Sequence, residues 1–406
     1  MAAAASPARR AAYEVLLRVF EQDAYADRAF RTAAAGLDER ERAFAQRLAY
    51  GAVQRVRTLD YALETLGRRP VRKLDPPVRA ALRLGAYQLG YTDTAPHAAV
   101  NESVELVRGA GLERAVPFTN AVLRRLAAGI RPLLDALPDG PLKESYPDWI
   151  HETFVRVLGP DGALALMRAM NEPLETVVRL VRGEPPPGAE PTDVPGAYRV
   201  ARVDESLVAA GRVWPQSRGS QLVGLCVGSR EGERVLDLCA APGGKTGQLR
   251  GAVTAVEVDP GRAAELRENL ARMGRADVEV VEADATALPP GLASFDRALV
   301  DAPCSGLGVL AQRPDLRWRA TPLPDLQLAL LRAAAERVRA GGTVVYAVCT
   351  LNPEECESVV EASGLTVEPL GREWPAFAHP SRPEFLLTLP HVHGTSGFFV
   401  ARLRVG

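Results

Sequence analysis

No run in this 406-residue chain approaches the roughly 20 apolar residues that a membrane-crossing helix needs. The opening MAAAASPARR has no apolar stretch of signal-peptide kind before Arg9 and Arg10. A soluble, cytoplasmic protein with no membrane partner is therefore expected. Cysteine is scarce, and the five residues at 226, 239, 304, 349 and 356 form neither a disulfide framework nor the paired CxxC of a zinc site. That excludes a disulfide-built secreted scaffold, predicts no metal, and suits thiols kept reduced. Lysine is scarcer still, with three residues, at 73, 143 and 245, among 49 basic ones. The net charge of −1 argues against a uniformly basic nucleic-acid binder. The charge is uneven, however. Residues 1 to 140 carry 21 Lys and Arg against 16 Asp and Glu, a surplus of five, and the remainder carries 28 against 34. The first third is the expected polyanion contact.

With 47% hydrophobic and 24% charged residues the chain should be globular, and its length suggests two or three domains. From about 6 to 130 the apolar spacing is helical. Tyr13, Leu16, Leu17 and Phe20 recur on one face, as do Leu59, Leu63 and Leu66. Val78, Leu82, Gly85 and Leu89 continue the pattern after a Pro76-Pro77 start, and Val100, Val104 and Val107 follow with Asn101 or a nearby polar group as a cap. Residues 1–130 are read as an all-α bundle, and 131–147, with four prolines, as a linker. Residues 148–213 are read as a small α+β subdomain, in which ETVVRLVRG begins a strand. From 214 to 406 strands alternate with helices: RVLDLCA, VTAVEVD, VEVVEAD, RALVDAP and TVVYAVC are the strands. That order predicts a Rossmann-like α/β domain with a doubly wound, mostly parallel sheet.

Three segments carry the chemistry: DLCAAPGGKT at 237–246, DAPCSGLG at 301–308 and YAVCTLNPEE at 346–355. Each follows or ends an apolar run, so three strand ends can meet at one edge of a parallel sheet, where such sheets bind ligands. The AAPGGK loop is neither GxGxxG nor a Walker loop. Gly243 and Gly244 would let backbone approach a ligand closely. The next strand ends with Glu257 and Asp259, where an acid can hold ribose hydroxyls, and the third ends at Asp284. Together these predict an S-adenosyl-L-methionine site rather than a dinucleotide one. Lys245, a lysine where arginine is the background choice, suggests a need for a compact point charge. Cys226 and Cys239 are read as core residues.

A cysteine beside a methyl donor has a defined use when the acceptor is carbon 5 of cytosine. That carbon is a poor nucleophile until a thiolate adds to carbon 6 and makes the ring enamine-like. A thiol of ordinary pKa, about 8.5, is little ionised at neutral pH, so the site must favour the thiolate. Ring nitrogen 3 then needs an acid or hydrogen-bond donor, and Asp301 in DAPC is placed for that role.

Residues 216 to 406 resemble the NOL1/NOP2/Sun family of RNA 5-methylcytosine methyltransferases, through DLCAAPGGKT, DAPCSG, RPDLRW and the cysteine of YAVCT. The segments ERAFAQRLAYGAVQR, LRLGAYQLGY, PHAAVNESVELVR and FTNAVLRRL resemble a NusB-type RNA-binding domain. The pairing is similar to bacterial Sun/Fmu-type enzymes acting on small-subunit (16S) rRNA, and RNA is the implied partner; no protein partner is expected. The resemblance implies that Cys349 is the nucleophile and that Cys304 assists release of the methylated RNA. It implies cofactor contacts from Cys239, Ala240, Ala241, Pro242, Gly243, Gly244 and Lys245, and from Glu257, Asp284 and Asp301. Catalytic roles are expected of Cys349, Cys304, Asp301 and Lys245. The chain departs from the family pattern at Glu257, Ser217, Ser396, Val348 and Cys356. Two other readings stay open: an RNA-binding ribosome-assembly factor with an inactive methyltransferase domain, and a tRNA cytosine-C5 methyltransferase.

Overall fold

The computed structural model describes residues 5–292 and 294–406, which form two compact units. The first runs through Asn171 and also takes in Leu310–Arg319; the second comprises Glu172–Val309 and Ala320–Gly406. Among the described residues no helix is long and apolar enough to cross a membrane.

The first unit is helical: α1 (Pro7–Glu21), α2 (Ala26–Ala33), α3 (Glu39–Gln54), α4 (Val56–Gly67), α5 (Pro76–Tyr91), α6 (Pro96–Gly109), α7 (Val116–Asp135), α8 (Pro141–Glu144) and α9 (Asp148–Ala169). Proline fixes the starts of α1, α5 and α6, because an N1 residue needs no amide hydrogen. Asn101, expected as a cap, therefore lies inside α6. The inner faces of α1, α3, α5 and α7 share one core containing Leu16, Leu48, Leu82 and Leu123. At Gly85 a Cβ would sit 2.6 Å from the Leu123 side chain, so glycine sets the approach of α5 to α7.

Residues 131–147 are not a free linker. Pro132 lies within the last turns of α7, Pro141 opens α8, and Pro147 precedes α9. The prolines mark helix ends in a continuous packed segment. Tyr146 is fully buried, edge-on to Phe154, and donates its hydroxyl to the Met167 carbonyl at 3.1 Å. Residues 148–171 thus continue the helical unit instead of opening an α+β subdomain, with α9 kinked at Gly159.

The second unit holds two sheets. The smaller is antiparallel in the order β2-β3-β1-β4, from β1 (Val177–Leu180), β2 (Glu190–Pro191), β3 (Ala197–Arg199) and β4 (Val213–Pro215), with α10 (Glu205–Ala209) before β4. The larger contains β5 (Arg234–Leu238), β6 (Ala252–Glu257), β7 (Glu279–Glu282), β8 (Phe295–Asp301), β9 (Val338–Val348), β10 (Thr366–Glu368), β11 (Leu386–Thr388) and β12 (Phe398–Arg404). Its order is β10-β12-β9-β8-β5-β6-β7, with β11 also on β12. Strands β5 to β9 are parallel; β10, β11 and β12 extend the sheet antiparallel. The parallel order reverses between β5 and β8, which is the switch point where a crevice opens. The helix expected after AAPGGKT is only a 3₁₀ turn, Thr246–Gln248. α11 (Arg218–Val227), which precedes β5, packs on β8 and β9 instead, and α12 (Pro260–Arg272) packs on β6 and β7.

RPDLRW is the motif that the structure relocates. Between Val309 and Ala320 the chain leaves the sheet unit, and Leu310–Arg319 becomes part of the helical one. Arg317 is 1% exposed, its guanidinium 3.8 Å from the Tyr146 ring centroid. It donates to the carbonyls of Ser145 and Met170 at 3.3 and 3.2 Å and to Asn171 Oδ1 at 2.8 Å. Trp318 Nε1 donates to the Val53 carbonyl at 2.7 Å. Burial pushes the Arg317 pKa down to about 10, which leaves it charged at neutral pH. Its replacement by methionine would keep the bulk and orphan buried carbonyls. We expect Arg317→Met to destabilise the helical unit by roughly 3 kcal/mol, measured as an earlier urea transition in hydrogen exchange of α8 and α9; an unchanged transition contradicts this.

Candidate active site

The edge formed by the C-terminal ends of β5, β6, β8 and β9 brings most of the sequence-predicted residues together. Directly after β5, Cys239 takes a left-handed conformation (φ 62°) and turns the chain into the Ala240–Lys245 loop. The Ala240 amide donates to the Val256 carbonyl at 3.1 Å, and Gly243 N to the Ala240 carbonyl at 2.9 Å, so the loop is a fixed turn. Gly243 has φ 100°, and a Cβ there would come within 2.8 Å of Leu266. Arg262 and Asn269, from α12, donate to the carbonyls of Ala241 and Pro242 at 2.8 and 2.9 Å.

The small sheet braces the same loop from residues the sequence did not single out. Arg179 of β1 is buried and donates to Gln216 Oε1 at 3.0 Å and to the carbonyls of Gly244 and Gly247 at 3.3 and 3.4 Å. A Cβ on Gly244 would lie 2.9 Å from Trp214 Nε1. The available signal was a single arginine inside the apolar run VVRLV, a charge that must find acceptors when its strand is buried. Burial pushes this arginine's pKa down to about 10.

Glu257, at the end of β6, is 2% exposed; Oε1 accepts from Asp259 N at 3.1 Å, and Oε2 accepts no hydrogen bond but lies 3.5 Å from Arg262 Nη1. Asp259 is occupied as the N-cap of α12, accepting from Arg262 N at 2.8 Å. That separates the two acids which the sequence left equivalent. Asp284 is exposed after β7, its Oδ1 accepting from Thr286 N and Oγ at 2.8 and 2.7 Å, which lowers its pKa. Asp237, inside β5, was not predicted. It is 1% exposed, bonded to Thr246 Oγ1 at 2.7 Å, and burial raises its pKa to about 7.

The reactive groups lie at or just beyond the ends of β5, β8 and β9. Lys245 Nζ is 2.6 Å from Asp301 Oδ2 and 4.8 Å from the Phe398 ring centroid. Cys304 Sγ and Cys349 Sγ are 3.5 Å apart. Burial pushes the thiols of Cys226, Cys239 and Cys356 up, Cys239 to about 12. Cys304 is pushed well up too, first by its hydrogen bond to Cys349 and then by burial. Cys349 alone is lowered, first by that same hydrogen bond, with the Lys245 ammonium helping against burial and Asp301. Of the two hydrogen-bonded thiols, Cys349 is therefore the readier to lose its proton, with Cys304 left as the donor to it.

Of the departures from the family pattern, Ser217 caps α11 through Ser220 N, and Val348 and Cys356 are buried. None of the three adds a charge to the site. Ser396 is buried, its carbonyl accepting from Thr388 Oγ1 at 2.7 Å.

Cys349 should alkylate with a midpoint below that of an ordinary thiol. Cys304→Ala and Lys245→Met should each move that midpoint up, since one removes a donor to the thiolate and the other a neighbouring cation. Site-resolved mass spectrometry after iodoacetamide treatment across pH 6 to 10 checks this, and a midpoint unmoved by either change contradicts it.

Comparisons with known proteins give the following matches. The family described as 16S rRNA methyltransferase RsmB/F matches residues 225–404, and the NusB family matches residues 6–128. A probable ribosomal RNA small subunit methyltransferase B of Synechocystis sp. is 34% identical, over 98% of this chain and 99% of its own length. The ribosomal RNA small subunit methyltransferase B of Thermus thermophilus is 36% identical, over 90% of this chain and 89% of its own. The crystal structure of PH0851 superposes with a TM-score of 0.82 at 23% identity, covering 100% of both chains.

Proposed function

The chain belongs to the RsmB/F family of S-adenosylmethionine-dependent 16S rRNA methyltransferases, and on that premise we propose that it methylates carbon 5 of a cytosine in small-subunit rRNA through a covalent bond from Cys349 to carbon 6. The observation that carries this reading is the pair of sulfurs 3.5 Å apart, only one of which is driven toward the thiolate.

S-adenosylmethionine supplies the electrophilic methyl group when bound. The residues present fit it. Glu257 Oε2 is buried and accepts no hydrogen bond, meeting only the Arg262 guanidinium at 3.5 Å, so it has room to accept from a ribose hydroxyl. Val258 beside it is 65% exposed and offers apolar surface. The Gly243-Gly244 turn has no room for side chains. Residues 239–245, Glu257, Asp284 and Asp301 would hold the molecule.

The Cys349 thiolate adds to carbon 6, and the electrons of the 5,6 double bond move into the ring, making carbon 5 nucleophilic. Asp301 and Lys245, joined at 2.6 Å, are the groups available to hydrogen-bond or protonate nitrogen 3 as negative charge develops there. After carbon 5 has taken the methyl group, its proton must leave to a base; the carbon–sulfur bond then breaks, its electron pair returning to Cys349. Cys304 suits that release. The chief cause holding it protonated is the Cys349 sulfur, and that cause ends once the sulfur is bonded to carbon.

Cys349→Ala should abolish methyl transfer and leave S-adenosylmethionine binding within a few-fold of wild type. Cys304→Ala should instead accumulate a covalent protein–RNA species on denaturing gels. Turnover by the Cys349 variant contradicts the nucleophile assignment, and trapping by that variant instead of Cys304→Ala exchanges the two roles.

RNA holding is assigned to the helical unit. Arg68, Arg69, Arg72 and Lys73 are all exposed on the turn between α4 and α5, with Arg69 5.6 Å from the Phe118 ring centroid of α7. Among the described residues none of the four lies in an ion pair. Replacing all four by glutamine should weaken rRNA binding and reduce the slope of log K against log salt by ~0.7 to 0.9 per lost phosphate contact. Cofactor affinity should not change. An unaltered slope excludes this turn as a phosphate contact.

A further inference from the structure

The loop carrying Cys304 is held to the loop carrying Cys349 by a carboxylate that is neither in contact with the sulfurs nor part of the cofactor crevice. Glu355 is 0% exposed. Its Oε1 accepts three N–H groups: Ser305 N at 2.9 Å, Leu323 N at 3.1 Å and Gln327 Nε2 at 2.9 Å. Its Oε2 accepts from Ser305 Oγ, which also meets Thr350 Oγ1 at 2.7 Å. The Glu355 carbonyl is fixed by the Tyr346 hydroxyl of β9 at 2.6 Å. Gln327 reaches the Pro303 carbonyl at 2.9 Å as well. These partners surround the cysteines in sequence: Pro303 and Ser305 flank Cys304, and Thr350 follows Cys349.

Ser305 and Leu323 also flank, within the sheet unit, the stretch Leu310–Arg319 that joins the helical one. One carboxylate oxygen therefore ties together the chain before and after that stretch, next to Cys304. Nothing in the covalent chemistry needs this acid. Its burial is tolerated because four donors converge on it, and that convergence fixes where Ser305, and with it Cys304, stands relative to the strand end bearing Cys349.

The geometry points to Glu355 as a positioning residue for the release half of the reaction, one that holds Cys304 where it can serve the adduct on Cys349. This rests on the roles proposed for the two cysteines. Its negative charge also helps keep Cys304 protonated until Cys349 is consumed. A glutamine at 355 could keep the geometry: its oxygen can take the three N–H groups, and its NH₂ can donate to Ser305 Oγ, which then donates to Thr350. Alanine could not.

The test compares wild type, Glu355→Ala, Glu355→Gln and Cys304→Ala in single-turnover reactions with 16S rRNA, following methyl incorporation and gel-resolved covalent RNA separately. Glu355→Ala should transfer the first methyl group within about threefold of wild type and release the RNA about 10²-fold more slowly, as expected when a reacting group is misplaced by an ångström. Glu355→Gln should release within about threefold of wild type, because the acceptor geometry survives. A Glu355→Ala enzyme with wild-type release, or one slowed equally in both steps, overturns the inference while trapping by Cys304→Ala leaves the proposed function standing. Glu355→Gln behaving like alanine also overturns it. Failure of Cys304→Ala to trap overturns both. If Glu355→Ala does not bind S-adenosylmethionine, Ser305→Ala takes its place. It should trap RNA because it loses the Oγ links while keeping its backbone, and normal release there overturns the inference.

Discussion

Two sulfur atoms, on loops that follow neighbouring parallel strands, stand 3.5 Å apart, and the chemistry of this molecule depends on which of them loses its proton first. Beside Cys349 stands the Lys245 ammonium, itself tied to Asp301; beside Cys304 stands the negative charge of Glu355. The hydrogen bond between the sulfurs raises one thiol and lowers the other; Glu355 and Lys245 act in those same two directions, while Asp301 opposes Lys245. The strand order places this contact at the crevice. β8 and β9 are parallel neighbours in register from Arg297 against Thr343 to Asp301 against Ala347, so the segments after them start level at the same edge.

The crevice is held from beneath by polar contacts between separate pieces of chain. Arg179 and Trp214 of the small sheet support the Gly243-Gly244 turn, and Arg262 and Asn269 of α12 hold its other carbonyls. The small sheet shares its core with the large one, Val177, Val194 and Ala197 packing in the same cluster as Leu222 and Val253. Its place is in the catalytic unit, and it prearranges a turn whose amides and carbonyls must stand correctly before any ligand enters.

What the sequence made readable was whatever local pattern dictates. Helical spacing from Tyr13 to Val107, strand runs ending at Leu238, Asp301 and Val348, and the motifs at their ends all fall where the residues imply. Domain boundaries were harder. Proline density over 131–147 looked like a linker because proline also marks helix ends, and burial of Tyr146 against residues distant in sequence leaves no local trace. The destination of RPDLRW was hidden for the same reason, since the Arg317 terminal nitrogens donate to carbonyls of Ser145 and Met170, well over a hundred positions earlier. Sequence also could not rank Glu257 against Asp259, or separate Glu355 from its acidic neighbours in PEE. Those distinctions rest on which oxygen is buried and which donors converge on it.

Identifying the residue that bears the nucleotide tests the central claim most directly. The covalent species formed by Cys304→Ala with 16S rRNA would be digested with nuclease and protease and sequenced by mass spectrometry. The account predicts one modified peptide, with methylated cytidine attached to Cys349. Attachment at any other residue, or a linked nucleotide that is not a methylated cytidine, would contradict it.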